Sequence, residues 1–187
     1  MESIEKQQFV NPVMLKEHFW NMFVADAFLG NFDRHNGNWG FLYDPVSQNA
    51  EIAPVFDCGS CLLPQADERV MNEVLTNEDA LHARIYQYPT SAIKQSDRKI
   101  NYRDFLMAAE YEGCNEAVKR IVPRVDMGAV DAFIGTAPYL SDLQRAFYKH
   151  YIRARYELIL APAFDLVTGL EQEPGQPTMG LSQQNIL

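Results

Sequence analysis

Three residues that could do chemistry crowd into six consecutive positions: Asp33, His35 and Asn38, inside the run GNFDRHNGN that starts at Gly30. A further carboxylate, Asp57, opens the triplet Asp57-Cys58-Gly59. In phosphoryl transfer an Asp accepts the proton of the attacking hydroxyl. An amide oxygen and a second carboxylate hold magnesium across the phosphates. Magnesium prefers hard oxygen ligands and keeps several waters, so one Asn, one Asp and a nucleotide's phosphates form a sufficient set. Asp33 and Asn38, separated by four residues, with Asp57 downstream, supply those groups in order. Neither Asp needs an unusual pKa for this role.

The elements that must position them are legible on both sides. WGFLY (39–43) and IAPVF (52–56) read as strands, and the Asp44-Pro45 and Ser47-Gln48-Asn49 stretches between them as turn-forming connection. Such a hairpin returns Asp57 to the neighbourhood of Asn38. Upstream, Asn11 as cap and Pro12 at the first helical position start a helix expected to reach about Leu29. Leu15, Phe19, Met22, Phe23 and Ala27 share one face of it. Asp26, at the edge of that stripe, either braces the loop or is solvated, and His18 is expected at or near the surface. Arg34 has two readings: a contact to phosphate or substrate, or a brace paired with a nearby carboxylate.

The runs GNFDRHNGNWGFLYD and IAPVFDCGS resemble the HipA-like serine/threonine kinases, including the CtkA-type bacterial kinases. Asp-Arg-His-x-x-Asn is also similar to the catalytic loop of phosphatidylinositol 3- and 4-kinases. The resemblance implies a mainly α protein-kinase-like carboxy-terminal lobe with a small β-hairpin, running from about Pro12 to about Leu160. It implies Asp33 as catalytic base or hydroxyl-orienting group and His35 as support for the loop or the γ-phosphate. Asn38 and Asp57 become the magnesium and nucleotide ligands, with ATP and Mg2+ as cofactors and a protein as substrate. A complete kinase also carries a Gly-rich phosphate-covering loop and a strand Lys paired to a helix Glu. Before Asp33 neither is present: Gly30 is the first glycine, and Lys6 and Lys16 lack a strand context. Three readings follow: a lobe of a longer kinase, a lobe completed by a separate polypeptide, or a non-catalytic pseudokinase or interaction module of the kind found beside toxins and antitoxins. In the first two, this chain alone is expected to turn over little.

Composition narrows the classes. With 187 residues, 47% apolar and 12% aromatic, the chain has the makings of one packed domain. A net charge of -9 argues against nucleic acid as a partner and against an anionic membrane surface, which disfavours the lipid-kinase reading. Membrane insertion is not expected, since no apolar run approaches spanning length, and no secretory signal is recognisable, so the expected location is cytoplasmic. Cys58, Cys61 and Cys114 lack the companions of a zinc site or a disulfide framework and read as incidental or buried thiols.

Residues 1–11 read as a flexible lead-in, 12–168 as the lobe, and 169–187, rich in Pro, Gly and Gln, as a disordered tail. Between Cys61 and the tail the expected helices are about Asp67–Leu75, Glu78–Tyr86, Tyr102–Glu112 broken by Gly113, Glu116–Val122 and Asp126–Ile134. A last one opens with the Ser141–Gln144 capping box and runs to Pro162. Pro89 to Lys94 is expected as an exposed connector, and the region from Cys58 to Lys99 as the place for peptide contacts. Lys94, Arg98 and Lys99 make a modest basic patch in an acidic chain.

Overall fold

The first helix begins and ends as its caps dictate. Asn11 accepts the Val13 N–H at 2.8 Å, and Pro12 takes the first position of α1 (Pro12–Leu29). The helix stops at Gly30, whose φ of 67° turns the chain sharply while its N–H returns to the Asp26 carbonyl. A Cβ at Gly30 would also lie 3.1 Å from the Tyr151 hydroxyl. The structure, a computed structural model, describes Ile4, residues 6–95 and residues 97–169. Beyond Gly169 the expected tail lies outside the described residues, as do residues 1–3 and 5 of the lead-in.

The fold is mainly helical with small antiparallel sheets. A hairpin follows α1, but its second strand is shifted from the expected IAPVF. β1 (Phe41–Asp44) pairs with β2 (Asn49–Ile52), Phe41 opposite Ile52 and Asp44 opposite Asn49. Ala53 adds one bond to the Gly40 carbonyl at 2.9 Å, and then Pro54, which has no N–H, cannot extend a ladder. The chain reaches Asp57 as an extended segment rather than a strand.

The next elements are α2 (Glu68–Thr76), capped by Asp67, and α3 (Glu78–His82), which passes into a π-turn over Ala83–Gln87. The stretch expected as an exposed connector is instead a second hairpin, β3 (Thr90–Gln95) with β4 (Arg98–Asn101). Its Pro, Thr, Ser and Lys residues gave no strand signal. What holds it is tertiary: Ser91 is fully buried, and Ile93 and Ile100 pack on the main core.

Asn101 caps α4 (Tyr102–Ala108) through the Asp104 N–H. This helix ends at Ala109, left-handed with φ 50°, short of the expected Glu112. Glu112 instead begins α5 (Glu112–Ile121), and Gly113, expected as a breaker, lies inside its first turn. A glycine is required there by contact: a Cβ would come 2.7 Å from Trp20 Nε1. A short 3-10 turn (Val122–Arg124) leads to α6 (Met127–Thr136), capped by Asp126. The capping box of Ser141 and Gln144 is complete at the start of α7 (Asp142–Arg155). Pro162 does not end the helical run as expected. A π-turn over Tyr156–Leu160 changes the hydrogen-bond step, and α8 (Ala161–Gly169) carries Pro162 in its first turn, where no donor is needed.

α1 is the centre of the packing. It contacts α5, α7 and the π-turn after α7. Trp20 and Val24 are therefore buried along with Leu15, Met22, Phe23 and Ala27, more than the single stripe that amphipathic spacing implied. Phe23, Phe105 and Tyr111 surround the Trp20 ring at 5.7–5.9 Å between centroids, and Phe147 stacks on Tyr151 at 5.6 Å. Both rings are fully buried in the core.

Replacing glycine by alanine inside a helix usually stabilises it by about 1 kcal/mol. At Gly113 the opposite sign is expected, because the rigid indole cannot yield: Gly113→Ala should destabilise by about 1–3 kcal/mol. Urea unfolding followed by circular dichroism measures this, and a stabilised variant would contradict the packing.

Candidate active site

The loop from Gly30 to Asn38 is assembled around one buried guanidinium. Arg34 is fully buried, and all five of its N–H groups have partners. Nε donates to Asp26 Oδ2 at 2.8 Å and Nη2 to Asp26 Oδ1 at 3.0 Å, a bidentate pair. Nη2 also approaches Cys58 Sγ at 3.7 Å. Nη1 donates to the Asn38 carbonyl at 2.7 Å and the Phe56 carbonyl at 2.5 Å. Burial alone would lower the Arg34 pKa, but the hydrogen bonds and charge of Asp26 outweigh it and hold the value raised. Of the two readings of Arg34, the brace is the one observed, and Asp26 is its carboxylate.

These bonds decide what meets what. The Asn38 and Phe56 carbonyls converge on Nη1, so the backbone beside Asn38 and the residue before Asp57 are tied to one nitrogen although 18 positions separate them. The sequence brings Asp57 back through a hairpin, and Arg34 fixes where it arrives.

Each proposed site residue has a defined setting. The Asp33 N–H bonds to Asn31 Oδ1 at 3.1 Å, and its carbonyl accepts Asn38 Nδ2 at 2.8 Å and the His35 N–H at 2.8 Å. Its carboxylate stays half-exposed. His35 Nδ1 accepts the Gly37 N–H at 3.0 Å, so the neutral ring carries its proton on Nε2, 4.0 Å from Asp33 Oδ2. That distance is too long for a hydrogen bond and leaves the carboxylate free. Asn38 is buried at 6% exposure. With Nδ2 committed to the loop, its Oδ1 has no donor among the described residues and is available to a cation. Asp57 is exposed and left-handed at φ 53°, an uncommon conformation that clusters at functional sites.

The donor set suits magnesium only in company. Among the described residues no group of three or more His, Cys, Asp or Glu could hold a metal. One amide oxygen and one carboxylate are insufficient alone, whereas waters and nucleotide phosphates would complete an octahedron. The neighbouring thiols do not add ligands. Burial, with the nearby Cys58 and Asp26 charges, pushes the Cys61 thiol up to about 12, and burial pushes Cys114 to about 12.

Three supporting residues escaped the sequence reading. Asn31 Nδ2 donates to Asp26 Oδ1 at 2.9 Å, and its carbonyl accepts the Tyr102 hydroxyl of α4 at 2.5 Å. Arg155, fully buried on α7, closes the end of α1 with Nε and Nη2 on the Ala27 carbonyl at 2.9 and 2.7 Å. Asn31, two residues before Asp33, carried an Asx-turn signal. Tyr102 and Arg155 carried none.

The chain is 48% identical over 159 residues to the serine/threonine-protein kinase CtkA of Helicobacter pylori, a match covering 84% of this chain and 49% of the relative. The crystal structure of a Helicobacter pylori proinflammatory kinase CtkA superposes with a TM-score of 0.89 at 46% identity, covering 91% of this chain and 62% of that one. Over most of its own length the chain is thus similar to CtkA in sequence and fold. It spans about half the length of the curated CtkA it matches. No family model matches it.

The five-donor brace cannot be rebuilt by lysine, whose ammonium has three donors and no planar fork. Arg34→Lys and Asp26→Asn should each lower stability by about 3–5 kcal/mol, the scale for breaking a buried pair. Denaturant unfolding measures both. Losses below about 1 kcal/mol would remove the brace from the account of the site.

Proposed function

We propose that this chain supplies the catalytic lobe for ATP- and Mg-dependent phosphoryl transfer to Ser or Thr of a protein. The observation that carries the reading is the convergence of the Asn38 and Phe56 carbonyls on Arg34, which holds Asn38 and Asp57 next to the Asp33 loop. Kinship to CtkA supports the same reaction class. Asp33 orients the acceptor hydroxyl and takes its proton as the new P–O bond forms. The bond from γ-phosphorus to the bridging oxygen breaks, and its electron pair leaves with ADP. Asn38 Oδ1 and the Asp57 carboxylate would hold the magnesium, which neutralises charge developing on the phosphates. His35 buttresses the loop through Gly37 and presents an Nε2 proton beside Asp33.

The lobe is proposed to act with a second one, in the same chain or another. The hairpin joining the two magnesium ligands leaves Leu42, Tyr43 and Val46 exposed, and Val55 and Phe56 after it. We assign these exposed apolar side chains to the contact with that lobe. The missing Gly-rich loop and Lys would then arrive over the phosphates. Among the described residues no helix is long and apolar enough to cross a membrane.

In the complete kinase, Asp33→Asn should reduce phosphate transfer by at least about 100-fold, the lower range for removing a general base. Asp57→Ala should do the same and weaken Mg-ATP in calorimetry, while melting temperatures stay near that of the parent protein. Full transfer by either variant refutes the assignment. Absence of Mg-ATP heat even with the second lobe supplied points to a non-catalytic module.

A further inference from the structure

A cavity lies beside the loop, and neither proposed magnesium ligand lines it. It has a volume of about 730 Å3 and an apolar wall formed by Leu15, Phe19, Trp39, Phe41 and Ile93. It also touches His35 and Lys94, whereas Asn38, Asp57 and Cys58 do not line it. His35 connects it to the chemistry, since His35 Nε2 stands 4.0 Å from Asp33 Oδ2. In-line transfer requires the acceptor hydroxyl to approach phosphorus from the side opposite the departing diphosphate. The groove is lined by Arg34, His35, Gly37 and Trp39 of the loop but not by Asp33, Asn38 or Asp57, so a segment lying in it reaches the Asp33 carboxylate past His35 without covering the proposed cation ligands.

Its charge narrows the acceptor further. Lys94 faces Lys99 across the β3–β4 ladder, with Arg98 next to it, and like charges directly opposite one another are unfavourable. All are exposed, and among the described residues none has an assigned ion pair. This edge, with Asp97 in the turn between its strands and Asp104 and Glu110 near Arg98 and Lys99, carries three cations on a chain of net charge -9 and offers a ligand's acidic group a partner at Lys94.

We propose, on the basis of the transferase reading above, that this groove binds the acceptor segment of the protein substrate and selects a large apolar side chain together with an acidic one. The apolar side chain fills the space between Phe19, Trp39 and Ile93, and the carboxylate meets Lys94, which has Lys99 opposite it on the ladder.

Fluorescein-labelled peptides built on one acceptor Ser test this by anisotropy with the present chain. One has Phe and Glu neighbours, a second Phe and Lys, a third Gln and Glu. The Phe–Glu peptide should bind best. Lys94→Glu, an exposed substitution, should weaken it about fivefold to tenfold and improve the Phe–Lys peptide, as expected for reversing a surface charge. Ile93→Ala should weaken both Phe peptides and leave the Gln–Glu peptide unchanged. Equal binding of all three peptides, indifference to Lys94→Glu, or displacement of the Phe–Glu peptide by Mg-ATP would overturn the proposal, the last by making the groove a nucleotide site. Asp33→Asn separates this proposal from the transferase reading. Peptide binding that survives in this variant, with no phosphate transfer by the parent complete kinase, sinks the reaction and keeps the groove. Asp33-dependent transfer with no side-chain preference sinks the groove and keeps the reaction.

Discussion

A single buried cation organises this protein's chemistry. Arg34 is out of contact with water, so each of its N–H groups must find an acceptor within the fold or impose a penalty of a few kcal/mol. The acceptors it finds belong to three separate segments: the last turns of α1 through Asp26, the loop through the Asn38 carbonyl, and the return segment through the Phe56 carbonyl and Cys58. Satisfying one guanidinium thus forces three parts of the chain into one geometry. The pair is worth little as net stabilisation relative to apolar residues, but its removal leaves a stranded charge, so it specifies position more than it adds stability.

The supports behind it are arranged in the same way. Arg155 binds the Ala27 carbonyl, one of the orphan carbonyls at the end of α1, and Tyr102 holds the Asn31 carbonyl just beyond it. Gly30 makes the sharp exit between them. The Leu62 N–H closes on the Leu29 carbonyl at 2.8 Å, bringing the segment after Asp57 back to the same helix end. The carboxyl end of α1 is thus a hub where residues from α4, α7 and the region after the hairpin all terminate. Hydrogen-bonded backbone surrounds the Asp33 and His35 side chains, which remain half-open to solvent.

The groove is lined by Arg34, His35, Gly37 and Trp39 but by neither Asn38 nor Asp57, so under the proposed transferase reading each reactant would have its own approach. Trp39, directly after Asn38, faces the groove, while Asn38 itself points its amide into the loop.

Local rules made a good part of this legible in advance. Asn11 and Pro12 marked the start of α1 and Ser141 and Gln144 the start of α7, because caps are properties of a few adjacent residues, and the chemistry proposed for Asp33, Asn38 and Asp57 rests on spacing of the same local kind. The register of β2, the second hairpin at Thr90–Asn101 and the inclusion of Gly113 in α5 were not legible. Each depends on a partner distant in sequence: Pro54 ending a ladder with β1, the core taking up Ile93 and Ile100, and Trp20 lying over Gly113. Arg34 shows the division most clearly. Its type and its place in the loop allowed two roles, and only the arrival of Asp26, Asn38 and Phe56 around it in three dimensions made it a brace, since a buried charge takes its function from whatever the fold places within hydrogen-bonding distance.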